Sequence, residues 1–236
     1  LDEKAIDKIF LAKGRPQDNP LILHVSKIDE VYPLIKDIPY GAIPLMKKFW
    51  PGPLTIIFKK SEKVLDKVTG GLDTVAIRMP KHKVASMLIE ESGVPIAAPS
   101  ANISGRPSPT NAQHVIEDLN GKVDMIIDGG STLVGVESTV LDMSSEVPTI
   151  LRPGGITYED LLTIFPEVQY DMSIIKEDEN IVPKSPGQKY KHYAPKAKMI
   201  VFVGDLNKVA LNINNLASKY IFEGKKVGIM ATEETL

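Results

Sequence analysis

Short apolar runs alternate with segments of helical period along most of the chain. Compact runs rich in Val, Ile, Leu and Thr predict strands at residues 21–25, 54–58, 75–79, 95–98, 125–127, 139–141 and 149–151. Apolar positions recurring every three or four residues predict helices at 1–13, 26–37, 41–50, 81–92, 110–119 and 157–165. Three of these helices open with a hydroxyl followed three residues later by a carboxylate or amide: Ser26 with Asp29, Thr110 with Gln113, and Thr157 with Asp160. That spacing satisfies free N–H groups at a helix start. Helices and brief strands joined by Pro- and Gly-bearing loops favour a mixed α/β sheet over a repeating barrel.

The pattern changes after about residue 170. Residues 171–195 have no amphipathic period, mix both charge signs and carry Pro183, Pro186, Gly187 and Pro195, as a linker or long functional loop would. Beyond them an apolar run at 199–203, a helical stretch at 206–222 and a second run at 226–230 read as the start of a βαβ unit. The expected division is a domain at 1–170, a linker or lid at 171–195, and the start of a second domain at 196–236. Leu1 falls inside an amphipathic helix and Leu236 follows shortly on a strand-like run, so both ends read as cuts through a longer protein.

Composition narrows the function classes. Of 236 residues, 43% are hydrophobic, which is enough for a sizeable core, and the net charge of −2 supplies no broad basic field for DNA or acidic lipid. The absence of cysteine excludes disulfides, thiolate metal sites and a cysteine nucleophile. No apolar run approaches the roughly 20 residues of a membrane span, and no basic-then-apolar leader opens the chain, so a cytoplasmic protein is expected. His24, His82, His114 and His192 lack metal-ligand spacing, and neither common phosphate-binding glycine loop is present.

Two stretches carry candidate chemistry. In Lys13-Gly14-Arg15-Pro16, with Asn19 and Pro20 following, two cations two positions apart can clamp phosphate oxygens, although a solvated turn would read the same. The stretch 97–110 runs from a strand through Ser100, Asn102, Ser104 and Ser108 into a helix start, where ligands favour α/β sheets; plain turn chemistry is the alternative. Thr74, Ala76 and Arg78 alternate along one strand. A cation there needs a bound carboxylate or phosphate, or an internal acid. Trp50-Pro51-Gly52-Pro53-Leu54-Thr55 reads as a rigid structural turn, and His24 as a satisfied core histidine.

Taken together, KGRP followed by NPL, WPGPLT, GLDTVAIRMP, PIAAPSANISGRPSPT, IIDGG, GVESTV, LRPG and SPGQKYKHYAP resemble the YrdC-type threonylcarbamoyl-AMP synthases in order and spacing. The resemblance covers about residues 1–195, and the tail is similar to the start of the Rossmann-like extra domain of that family's long form. The family's strand and turn reading Pro-Thr-x-Thr-x-Tyr-Gly-Leu would precede the first helix, and this chain starts beyond it. Gln188 stands where the linker motif commonly has Met.

The resemblance implies a twisted α/β sheet around a deep electropositive cavity. It also implies an enzyme joining L-threonine, bicarbonate and ATP into threonylcarbamoyl-AMP and pyrophosphate. It assigns Lys13 and Arg15 to the phosphates as the catalytic pair, with Asn19, Thr74, Ser100, Asn102, Ser108, Arg152 and Tyr190 as further ATP contacts. His24, Arg78, Ala98 (through its backbone) and Ser138 fall on the threonine side. Magnesium would be carried by the ATP phosphates rather than by a protein cage. The product would pass to threonylcarbamoyl-transfer machinery acting on tRNA. Two rivals share the fold: a non-catalytic nucleotide- or RNA-binding module, and a carbamoyl-transferring domain of a larger maturation enzyme. The linker motif and extra domain favour the synthase, and residues 185–195, with Tyr190, His192 and Tyr193, are expected to act as a lid.

Overall fold

The computed structural model describes residues 2–174 and 197–231. The chain divides into two compact units, Leu1–Ala194 and Pro195–Leu236.

The first unit is built on a seven-stranded mixed sheet in the order β4-β1-β3-β2-β5-β6-β7. Its strands are β1 (Ile22–His24), β2 (Leu54–Lys59), β3 (Thr74–Arg78), β4 (Ile96–Ala97), β5 (Thr139–Asp142), β6 (Thr149–Arg152) and β7 (Gln169–Tyr170). The helices are α1 (Glu3–Lys13), α2 (Ala42–Phe49), α3 (Asp66–Thr69), α4 (Lys83–Ser92), α5 (Ala112–Leu119) and α6 (Tyr158–Leu162). β1 and β3 are parallel, as are β2 and β5, while β2 and β3 run antiparallel.

Strand alternation gives the sheet two unlike faces. One face sends Leu23, Leu54, Ile56, Phe58, Val75, Ile77, Leu141 and Ile150 into the main core, where α1 and α2 pack Ile6, Phe10, Leu45 and Met46. The other carries a small apolar patch of Ile22, Ile57, Ala76, Val140 and Leu151. The polar residues of interest stand two positions from members of this patch, so they share its face, the one turned away from the main core.

One irregularity sets the edge of that face. Val140 pairs with Arg152 but Leu141 pairs with Ile150, so a β-bulge inserts Leu151 as an extra residue in β6.

Most expected elements form close to their anticipated bounds, and Thr157 and Asp160 make the expected capping box at α6. Four differences stand out. Residues 26–37 give two single 3-10 turns, Ile28–Glu30 and Tyr32–Leu34, because Pro33 cannot donate to a continuing helix. Ser26 there bonds Glu30, through its N–H and its hydroxyl at 2.8 Å each, rather than Asp29. At α5 the cap is Asn111, which accepts from the His114 N–H at 3.1 Å, and not Thr110. Residues 125–127 form no strand: Met125 and Ile127 are exposed and no strand pairs with them. α3 and β7 had no counterpart in the pattern, being too short to carry a period.

In the second unit, α7 (Leu206–Phe222) starts at Asp205, whose carboxylate accepts from the Lys208 N–H at 3.2 Å. No strand forms at 199–203 or 226–230, where Met199, Val201, Val203 and Met230 are exposed. Parallel strands need pairing and burial on both faces, and neither run has them among the described residues.

Candidate active site

The nucleotide-side candidates gather where α1 ends. Ile6, Phe10 and Lys13 lie on one buried stripe of α1, which carries the Lys13 side chain inward with the core residues. Gly14 then adopts a left-handed conformation (φ 59°) that stops the helix and turns the chain into the Arg15 loop. Lys13 Nζ donates to the carbonyls of Ser100 and Asn102. The backbone closes the same junction, with the Ser104 N–H donating to the Lys13 carbonyl at 2.9 Å. Burial, the nearby Arg15 guanidinium and a partial offset from Asp118 together bring the Lys13 ammonium down to about 8.

Arg15 is not a solvated loop cation. It is 7% exposed and donates through Nη2 to Asn19 Oδ1 at 2.7 Å and to the Pro20 carbonyl at 2.8 Å, and through Nε to the Asn19 carbonyl at 3.2 Å. Asn19 is itself buried, so the pair is a preformed unit.

The loop after β4 is held from α5. The Ile103 N–H donates to Asp118 Oδ2 at 3.0 Å, and Arg106 pairs with the other Asp118 oxygen. Asn102 Nδ2 donates to the carbonyls of Ile103 (3.0 Å) and Arg106 (2.8 Å), which fixes its carboxamide beside Lys13. Ser100 is exposed, and Ser108 Oγ is buried with no hydrogen-bond partner among the described residues.

The threonine-side candidates form a row across the sheet. His24 on β1 pairs with Arg78 on β3, Arg78 with Thr55 on β2, Thr55 with Val140 on β5, and Val140 with Arg152 on β6. No ion pair to Arg78 exists among the described residues, so the internal-acid explanation is removed; its Nε donates to the Gly52 carbonyl at 3.0 Å. Burial and the Arg152 charge both lower its affinity for a proton. Arg152 forks onto Ser138, donating to its carbonyl at 2.8 and 3.1 Å and to its Oγ at 3.1 Å. Gly154 makes this possible, because a Cβ there would lie 2.4 Å from the Glu137 carbonyl oxygen.

His24 is not a satisfied core residue: its Nδ1 is buried without a partner among the described residues. Burial, then the Arg78 charge, push it down to about 4 against the carbonyls of Ile96 and Ile22, so the ring is neutral at pH 7. The Ala98 N–H is taken by the Ile22 carbonyl at 3.0 Å, so it is not free for a ligand.

Thr74 and Arg78 lie on the same face of β3, four residues or about 13 Å apart. Thr74 marks the end nearer Lys13, and Arg78 the row with His24. Arg152, expected with the nucleotide group, stands in the Arg78 row. Tyr190 and the expected lid at 185–195 lie outside the described residues. Two participants escaped the sequence pattern. Thr55 looked like the end of a structural turn, and Asp118 like one more surface acid on an amphipathic helix; the only available signal was Thr55's in-phase spacing with Ile57. Among the described residues no cluster of three acids or histidines could hold a metal, and no helix is long and apolar enough to cross a membrane.

Comparison with known proteins identifies the family. A family model joining Sua5, YciO and YrdC proteins, described as "Telomere recombination", matches residues 1–154. A second, "Threonylcarbamoyl-AMP synthase, C-terminal domain", matches residues 156–236. The threonylcarbamoyl-AMP synthase of Pyrococcus abyssi is 51% identical over 98% of this chain and 68% of its own length. That of Bacillus subtilis is 48% identical over 98% of this chain and 65% of its own length. The chain thus spans about two thirds of these relatives. The crystal structure of P. abyssi Sua5 complexed with L-threonine superposes with a TM-score of 0.92 at 50% identity, covering 98% of this chain and 69% of that one. With two adjoining family matches and half its residues shared with a synthase along nearly its whole length, the chain belongs to the YrdC-type threonylcarbamoyl-AMP synthase family.

Proposed function

We propose that this protein carries out the family's reaction on the face of its sheet turned away from the main core, with L-threonine at the Arg78 end and ATP at the Lys13 end. Threonine's amine and bicarbonate give a carbamate with loss of water. A carbamate oxygen then attacks the α-phosphorus of ATP, and pyrophosphate leaves with the electrons of the bond that breaks. Both partners are anions, so the main task is to bring them together against their repulsion.

The observation that carries this reading is Arg78, a half-buried cation without an acid partner among the described residues, beside Arg152 and a neutral His24. Such a pair suits the carboxylate of an amino acid. Towards the other end of β3, where Thr74 lies about 13 Å from Arg78 along the strand, Lys13, Arg15 and the Ser100–Asn102 loop offer cations and amides to phosphates. The donor set is cationic and does not fit a protein-held magnesium, so magnesium would arrive on the ATP phosphates. The product would supply the threonylcarbamoyl group to transfer enzymes acting on tRNA.

The test is pyrophosphate release by the full-length protein, with L-threonine and bicarbonate omitted in turn. Release should need all three substrates. Release from ATP alone, at the same rate, would overturn the reading.

A further inference from the structure

Thr55 is fully buried on β2, between Arg78 of β3 and Val140 of β5. Its Oγ1 lies 2.8 Å from Ser138 Oγ, and either oxygen could supply the proton. The surroundings decide which one does. A buried hydroxyl proton needs an acceptor, and among the described residues Ser138 Oγ is the only hydrogen-bond partner of Thr55 Oγ1. One proton is unmatched in either arrangement: if Ser138 donated it would be that of Thr55, which is fully buried, whereas if Thr55 donates it is that of Ser138, beside the partly exposed Arg152, where a ligand can receive it. Arg152 Nη2, 3.1 Å from the same Ser138 oxygen, can only donate. Ser138 Oγ therefore accepts twice, which occupies both of its lone pairs. Its single proton finds no acceptor among the described residues, and Ser138 sits on the face that carries Val140 and Arg78.

We propose that Thr55 is a positioning residue that makes the Ser138 hydroxyl an obligate hydrogen-bond donor to an anionic oxygen of the amino-acid substrate. This rests on the reading of the Arg78 end as the amino-acid site. A free serine hydroxyl can rotate to donate or accept. Here its polarity is set in advance, and a group that offers only protons, such as an ammonium, is disfavoured at that spot. A carboxylate oxygen of threonine is favoured instead. Thr55 does this without touching the ligand.

The experiment compares Thr55→Val, which keeps the β-branched shape and removes the hydroxyl, with Thr55→Ser, which keeps the hydroxyl. L-threonine and ATP titrations of the whole chain should show threonine affinity about tenfold weaker in Thr55→Val, ATP affinity unchanged, and Thr55→Ser close to the parent. Unchanged threonine affinity in Thr55→Val, or equal losses in both variants, would overturn the proposal. Neutron diffraction from the ligand-free protein decides the same point directly. Deuterium on Thr55 Oγ1 aimed at Ser138 supports it, and deuterium on Ser138 aimed at Thr55 overturns it. That result holds whether or not the parent chain binds L-threonine, so a failure of the site assignment is told apart from a failure of the proton assignment.

Discussion

Asp118 holds Ile103 from α5: its Oδ2 accepts the Ile103 N–H at 3.0 Å while its second oxygen pairs with Arg106. One carboxylate thereby ties both halves of the loop that Lys13 touches through Ser100 and Asn102. Removing it leaves a half-buried N–H without its acceptor, at a cost of about 1–3 kcal/mol. Asp118→Ala should lower stability to urea by that amount and weaken ATP binding several-fold, with Asp118→Asn, which keeps an acceptor, in between. ATP affinity unchanged in Asp118→Ala would show that the loop does not depend on this anchor.

Arg15→Ala is expected to act on both folding and binding. The guanidinium is buried and bonded to Asn19 and Pro20, so its loss should cost about 2 kcal/mol of stability as well as roughly 10- to 1000-fold in ATP affinity. Arg15→Lys should not restore either, since an ammonium cannot span Asn19 Oδ1 and the two carbonyls together. Denaturation and ATP titration of the same variants separate the two effects.

Lys13 gives opposite pH trends for binding and for stability. Its folded-state value of about 8 lies below the ordinary lysine value of 10.5, so the unfolded chain holds more protons between them, and stability should rise with pH across that window. ATP binding should instead weaken as pH climbs through about 8 and the charge is lost, by up to about tenfold per unit. Calorimetric titrations from pH 7 to 10 read this directly. Lys13→Met, neutral throughout, should flatten the profile.

His24 predicts a loss of stability in mild acid. Its folded-state value of about 4 is below the 6.5 of an unhindered imidazole, so the unfolded chain binds the extra proton first. Stability should therefore fall as pH drops from about 6.5 towards 4, with a slope approaching one proton. His24→Gln should remove that slope while leaving the carboxylate-driven loss at lower pH. Equal slopes in the two proteins would mean that the ring is not held neutral.

The core was legible because helix burial has a period near 3.6, which α1 writes over its whole length, while β2 and β3 show as compact apolar runs buried on both faces. Where the element spans barely one period, as in α3 and β7, there was nothing to read. The site divided along a similar line. Thr74, Ala76 and Arg78 revealed their common face by spacing alone, and the family motifs supplied the rest. The burial of Arg15 was not legible, because its partners Asn19 and Pro20 lie in a turn whose shape no periodicity encodes. Nor was Asp118, whose importance arises from Ile103 fifteen residues earlier.

The bulge at Leu151 makes the site depend on how β6 is paired, beyond which residues it contains. With the bulge, Arg152 sits opposite Val140 on the ligand face. If the strand paired regularly, with Leu151 opposite Val140, the Leu141–Ile150 pairing would carry through so that Arg152 met Thr139, whose neighbour on β2 is the fully buried Leu54. Straightening the strand around Leu151 would thus aim a guanidinium into the main core. Deleting Leu151 would instead leave the arginine opposite Val140 in a regular pair, so the bulge could be lost together with its residue but not ironed out around it.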